Sequence, residues 1–282
     1  MPGKPDKIDA HVHLWRLSRG DYGWLTPDLT PIYRDFEPAD LRAVLQSAKI
    51  DRAVLVQAAP TIEETRFLLR LAEATPEIAG VVGWVDFESP DAAQDLAALG
   101  RSPWLKSVRP MIQDIADPDW MLKPELHDAF SAVIEQNLCF DALVLPRHLP
   151  RLRRLLDRYP ELRTIIDHGA KPRIAEQQFD DWARDMRSIA ESGPVCCKLS
   201  GLITEAGHDW TLERLQPYVD HLIACFGPER LIWGSDWPVV RLAGDYRSWL
   251  ETAMTCLATL SDRQKAAVFG GNAQRFYQLA TA

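Results

Sequence analysis

The residues best placed to do chemistry begin with "KIDAHVHLW", where His11 and His13 stand one residue apart at the end of a short apolar run. Alternate side chains of a strand share a face, so both imidazoles point one way and Val12 points the other. Such a pair suits a divalent cation, or a carbonyl or water held without one. "IIDHGAKP" puts Asp167 or His168 after a second apolar run, and "LIWGSDWP" puts Asp236 just before Trp237 and Pro238. Three imidazoles and a carboxylate around one rim could bind Zn²⁺ or activate a water. That chemistry needs a fold that gathers segments far apart in the chain.

The rest of the sequence supplies such a fold. Short β-like runs recur: "KIDAHVH", "RAVLVQA", "AGVVGWVDF", "WLKSVRP", "LCFDALVLP", "LRTIIDH", "PVCCKLS" and "RLIWGSD". Several are apolar at nearly every position, as strands buried on both faces should be. Between them lie amphipathic segments such as "TRFLLRLAEA", "RHLPRLRRLLDRY", "IAEQQFDDWARDMRSIAES" and "TLERLQPYVDHLIACF". Thr61 and Glu64 fit a capping box, and Ser89-Pro90 fits a cap followed by proline at the first helical position. Strands alternating with helices in 282 residues predict an α/β chain, a (β/α)8 TIM barrel, as one domain over 1–282 with a flexible tail at 1–7. An open doubly wound sheet is the competing topology, but "HVHLWRLSRG" is nothing like the Gly-rich turn expected after its first strand. Barrel closure makes strand eight the neighbour of strand one, about 4.8 Å away, and so brings Asp236 beside the two histidines.

Composition narrows the partners. A net charge of -8 argues against nucleic acid and anionic membrane surfaces. No apolar run approaches the roughly 20 residues of a membrane span, and "MPGKPDK" lacks the apolar core of a secretory signal. Five cysteines without a C-x-x-C pair read as reduced thiols, so a cytoplasmic location is expected. The doublet Cys196-Cys197 reads as core filling.

"IDAHVHLW", "DRAVLVQAAPTIEET", "VVGWVDFESP", "LKSVRPM", "IIDHGAKP", "CKLSGL", "IWGSDWPV" and "GGNAQRFY" together resemble the amidohydrolase superfamily, and within it the branch of sugar-lactone hydrolases. The resemblance runs from Ile8 to about Tyr277 and implies a distorted (β/α)8 barrel. It also implies His11 and His13 after the first strand, His168 on a middle strand and Asp236 after the eighth. The chain departs from the fuller metal pattern of the superfamily, because "LCFDALVLP" ends without a histidine. Lys106 stands where a bridging lysine could be sought, with too few ligands around it for two metals. The expected cofactor is therefore one divalent metal, zinc first, at His11, His13 and Asp236, or none at all.

The implied reaction is hydrolysis of a sugar-acid lactone, such as L-fucono- or L-rhamnono-lactone, by direct attack of water. Asp236 would be general base, and His11, His13 and His168 would polarise the carbonyl, with or without a metal. "WGSDW" lacks the second glycine of a nucleophile elbow, so no serine nucleophile is indicated. Arg109, Lys198, Trp24 and Trp237 are the candidate substrate contacts, with Trp15 beside Trp24 in the first loop. Aromatic faces pack on the C–H side of a sugar, and cationic donors read its hydroxyls. His148 and His208 fall in loops after strands, whereas His127 and His221 fall inside helical patterns. Two other activities fit parts of the pattern. A metal-dependent decarboxylase of an aromatic or muconate-type acid would want a second histidine on the middle strands. A lactonase for an anionic lactone would want several arginines at the mouth, where Arg109 is the clear candidate. A non-enzymatic binding barrel would have no need to keep Asp236.

Overall fold

The structure, a computed structural model, describes residues 6–281. Eight parallel strands form one sheet in sequence order: β1 (Ile8–Val12), β2 (Arg52–Val56), β3 (Ile78–Gly83), β4 (Leu105–Val108), β5 (Cys139–Ala142), β6 (Thr164–Ile166), β7 (Cys196–Leu199) and β8 (Leu231–Trp233). Helices fill the intervals: α1 (Pro38–Ala48), α2 (Ile62–Ala74), α3 (Ala92–Leu99), α4 (His127–Glu135), α5 (Leu149–Arg158), α6 (Asp180–Ser192), α7 (Leu202–Ala206), α8 (Leu212–Phe226) and α9 (Tyr246–Cys256). Two short helices, α10 (Asp262–Ala266) and α11 (Asn272–Phe276), follow. This is the (β/α)8 barrel expected from the alternation of patterns. No described helix is long and apolar enough to cross a membrane.

Two apolar layers hold the barrel. Ile8, Ala10, Val54, Val56, Ile165 and Ile232 meet inside it, joined by Tyr277 and Leu279 from the C-terminal segment. Val12, Ala53, Leu55, Cys197 and Leu199 point outward into the helix layer. Strands whose two faces are both buried explain why the β-like runs are apolar throughout.

Local starts differ from expectation where side chains have competing partners. Thr61 does cap α2, accepting the Glu64 N–H at 3.1 Å. Glu64 does not complete the box, because its carboxylate turns inward to the Ala58 N–H and the Tyr22 hydroxyl. Ser89 accepts the Asp91 N–H, and α3 begins at Ala92, so the helix starts later than Ser89-Pro90 suggested. Helix α6 begins at Asp180, after a turn through 174–177 that the apolar spacing includes in the helix. Helix α1, capped by Glu37 and Asp40, was missed as a helical pattern. Of the expected tail, residues 1–5 lie outside the described residues. Asp6 pairs with Arg52 at 2.6 Å, and the Lys7 N–H donates to Asp51 at 2.8 Å.

Candidate active site

His11, His13, His168 and Asp236 meet at the C-terminal mouth of the barrel. His13 Nε2 is 3.2 Å from His11 Nε2 and 3.2 Å from Asp236 Oδ1. Asp236 Oδ1 is also 3.6 Å from His11 Nε2 and 4.0 Å from His168 Nε2. The backbone makes this possible at two left-handed positions, His168 at φ 52° and Asp236 at φ 59°. Gly201 lets β7 pass the site, since a Cβ there would lie 2.7 Å from His168 Nδ1.

Hydrogen bonds fix the rings. A carbonyl only accepts, so His13 Nδ1–H donates to Val56 O at 2.8 Å and turns Nε2 toward Asp236. His168 Nδ1 meets Ser200 Oγ at 2.8 Å. Beneath His11 lies Lys198, wholly buried, with Nζ 3.1 Å from His11 Nδ1, 2.5 Å from Asp141 and 2.9 Å from Asp167. Ser107 and the Tyr277 hydroxyl donate to the same Asp141 carboxylate, at 2.5 and 2.8 Å. Arg109 donates to Asp167 at 3.2 Å, and to the carbonyl and side-chain oxygens of Gln57.

These surroundings set the charges. Burial, aided by Lys198, keeps His11 well below the usual imidazole range. Burial lowers His168 to about 4, although Asp236 and Asp167 pull the other way. Burial works against ionisation of Asp236, but the imidazoles of His168, His13 and His11 outweigh it and hold the carboxyl below its ordinary value. At neutral pH the mouth therefore presents an ionised carboxylate beside neutral His11 and His168. Below it, burial disfavours the Lys198 ammonium, yet Asp141 and Asp167 more than compensate and raise its pKa.

A cavity of about 280 Å³ opens above this floor, lined by His13, Arg109, His168 and Asp236. Trp24, Leu29, Leu143, Val239 and Leu242 contribute its apolar wall. Trp24 is 37% exposed and is held by its indole N–H on Ala58 O. Trp15 and the expected substrate contact Trp237 are both buried, and neither lines the cavity. Trp15 instead packs edge-on behind Trp24, and Trp237 packs edge-on against Phe36. Lys198 likewise has no surface on the cavity, since Asp141, Asp167 and His11 take up its ammonium. His148 is drawn into capping Leu145 N–H, and neither it nor the exposed His208 lines the cavity. His127 and His221 pair with Tyr159 and Ala183 in the helix layer. Lys106 points to the opposite end of the barrel, toward Gln278 O.

Sequence reasoning missed Asp141, and weighed Asp167 only as a rim candidate. The available signal was a carboxylate inside an otherwise apolar strand, as in "LCFDALVLP". Such a group must have a buried partner.

The donor spacing suits a tetrahedral metal. Ligands bound at 2.0–2.1 Å stand about 3.3 Å apart, close to the 3.2–3.6 Å found among His11, His13 and Asp236. One feature works against His11 as a ligand. To offer Nε2 it must carry its proton on Nδ1, facing the Lys198 ammonium donor for donor.

The sequence profile of the amidohydrolase family matches residues 8–279. The chain is 48% identical over 277 residues to an L-fucono-1,5-lactonase of Burkholderia ambifaria, covering 97% of this chain and 96% of that protein. It is 34% identical to an L-fucono-1,5-lactonase of Burkholderia multivorans, covering 97% and 96%. The solved structure of a Burkholderia multivorans amidohydrolase with bound Zn superposes with a TM-score of 0.91 at 32% identity, covering 98% of this chain and 100% of that one. By barrel, mouth and sequence alike, the chain belongs to the amidohydrolase family.

Proposed function

We propose that this chain is a lactonase that opens a neutral sugar-acid lactone, with L-fucono-1,5-lactone as the first substrate to test. The observation that carries the reading is the ionised Asp236 on the cavity floor, 3.2 Å from His13 and within 4.0 Å of His168. High identity to proteins named for that reaction supports the substrate class.

In the proposed reaction, water bound at Asp236 attacks the lactone carbonyl carbon and gives its proton to the carboxylate. Neutral imidazole N–H groups and the Arg109 guanidinium steady the oxygen that becomes negative. The ring C–O bond then breaks, and Asp236 returns the proton to the departing alkoxide, which leaves a hydroxy acid. Trp24 and the aliphatic wall face the C–H side of the ring. A divalent cation, zinc first, would be held by His11, His13 and Asp236 with His168 at the edge, and would add Lewis-acid polarisation of the carbonyl.

The cations on the cavity wall favour a neutral lactone over an anionic one. Arg109 is already shared between Asp167 and Gln57, and Lys171 is paired with Glu205 at 3.3 Å. The five free thiols accord with work in the cytoplasm.

A pH-indicator assay over L- and D-sugar 1,4- and 1,5-lactones, with and without prior chelation, tests the reading. Acid release above the uncatalysed rate is expected for L-fucono-1,5-lactone. Release that survives chelation removes the metal from the reaction, and silence across the panel overturns the function.

A further inference from the structure

We propose that Asp9 is a positioning residue: its buried carboxylate closes the seam between β1 and the segment after β8, and thereby sets Asp236 against His13. The role rests on the lactonase reading above, because Asp236 is assigned there as the base.

The barrel does not close by a regular ladder at this seam. Neighbouring strands pair from β1 through to β8, but β8 ends at Trp233, and among the described residues the β-pairing that closes the barrel is the bridge between Val12 and Trp237 just beyond it. Two backbone bonds cross there, Asp236 N–H to His11 O at 2.9 Å and His13 N–H to Trp237 O at 2.7 Å. Asp9 supplies the next tie. Its Oδ1 accepts the Ser235 N–H at 2.8 Å and the His11 N–H at 3.1 Å. One oxygen thus holds the residue before Asp236 and the first histidine of the pair, although 226 positions separate Asp9 from Ser235.

Three further observations show why the seam needs a tie. On its other edge, against β2, the register of β1 slips between Asp9 and Val12, so the strand is irregular on that side too where the histidines leave it. Asp236 sits at φ 59°, a left-handed conformation that outside contacts must hold. The two segments also approach closely, since a Cβ on Gly234 would lie 2.7 Å from the His11 Cβ. Asp9 is wholly buried and does not line the cavity, so it acts on the reaction through Ser235 and His11.

The test measures kcat and KM for L-fucono-1,5-lactone in wild type, Asp9→Ala, Asp9→Asn and Gly234→Ala, with folded fraction measured for each. Asparagine keeps the oxygen that accepts both N–H groups, so Asp9→Asn should stay within fivefold of wild-type kcat. Asp9→Ala should lose thirtyfold or more in kcat per folded molecule, with KM within threefold. Gly234→Ala, which pushes the same seam apart from the other side, should reproduce that pattern. A folded Asp9→Ala with kcat within threefold of wild type overturns the proposal. So does Asp9→Asn with a kcat loss of thirtyfold or more, an outcome readable even if alanine prevents folding. A wild-type chain that opens no lactone removes the functional reading itself, a failure distinct from unaltered kcat in the variants.

Discussion

Lys198 Nζ lies 3.1 Å from His11 Nδ1, on the side of the ring turned away from the cavity. The same ammonium donates to the Asp141 carboxylate at 2.5 Å and forms an ion pair with Asp167 at 2.9 Å. The site therefore stands on a buried cation belonging to the chain.

Removing that cation should be costly. Lys198→Met leaves two buried carboxylates facing each other, and breaking a buried ion pair costs about 3–5 kcal/mol. Urea unfolding of the variant should show a loss of that size. The double variant Lys198→Met/Asp167→Asn should recover part of it, the coupling expected of groups in contact. Additive losses would show that the three groups do not share one network.

Asp236→Asn keeps the shape of the side chain and removes its capacity to take a proton. General-base catalysis contributes typically about 10²–10⁴-fold, so kcat should fall at least a hundredfold while the protein stays folded. Retention of more than a few per cent of wild-type kcat would sink the assignment.

Trp24 reaches the cavity from the first loop, backed by Trp15. Trp24→Ala should raise KM about tenfold, as expected for losing roughly 1.4 kcal/mol of binding. The chemical step should be little affected, so kcat within threefold is expected. A fall in kcat at constant KM would place Trp24 outside substrate binding.

Glu64 gives a pH test independent of the mouth. Burial pushes its carboxyl up to about 7, against the opposing Tyr22 and Ala58 hydrogen bonds and the Arg19 guanidinium. A raised folded pKa means that the folded state holds the extra proton. Its stabilisation is complete below the unfolded value near 4.3 and is lost as pH rises through about 7. Glu64→Gln lacks this titration. Stability of wild type minus variant should therefore decrease between pH 5 and pH 8, by up to about 3 kcal/mol, as read by denaturant unfolding at both pH values. A difference that is flat or rises with pH would contradict the buried, protonated state.

Much of the barrel is legible in the sequence. The β-like runs each became a strand, because strands buried on both faces must be apolar and short. Helix starts were less legible. Glu64 and Ser89 each had a capping geometry available locally, and a tertiary or neighbouring partner won. The gathering of His11, His13, His168 and Asp236 followed from strand order and alternation together with the family resemblance.

What the sequence determined by itself was the barrel and the identity of the groups at its mouth, since periodicity and strand ends are local properties. Only the tertiary structure decided which polar residues face the cavity and which serve the floor. Lys198 and Trp237 looked like substrate contacts from their positions at strand ends. Packing instead buried Lys198 between Asp141, Asp167 and His11 and set Trp237 on Phe36. Burying a charge is tolerable only where opposite charges and hydrogen bonds surround it. Whether they do depends on residues from other strands, and no single stretch of the chain contains them.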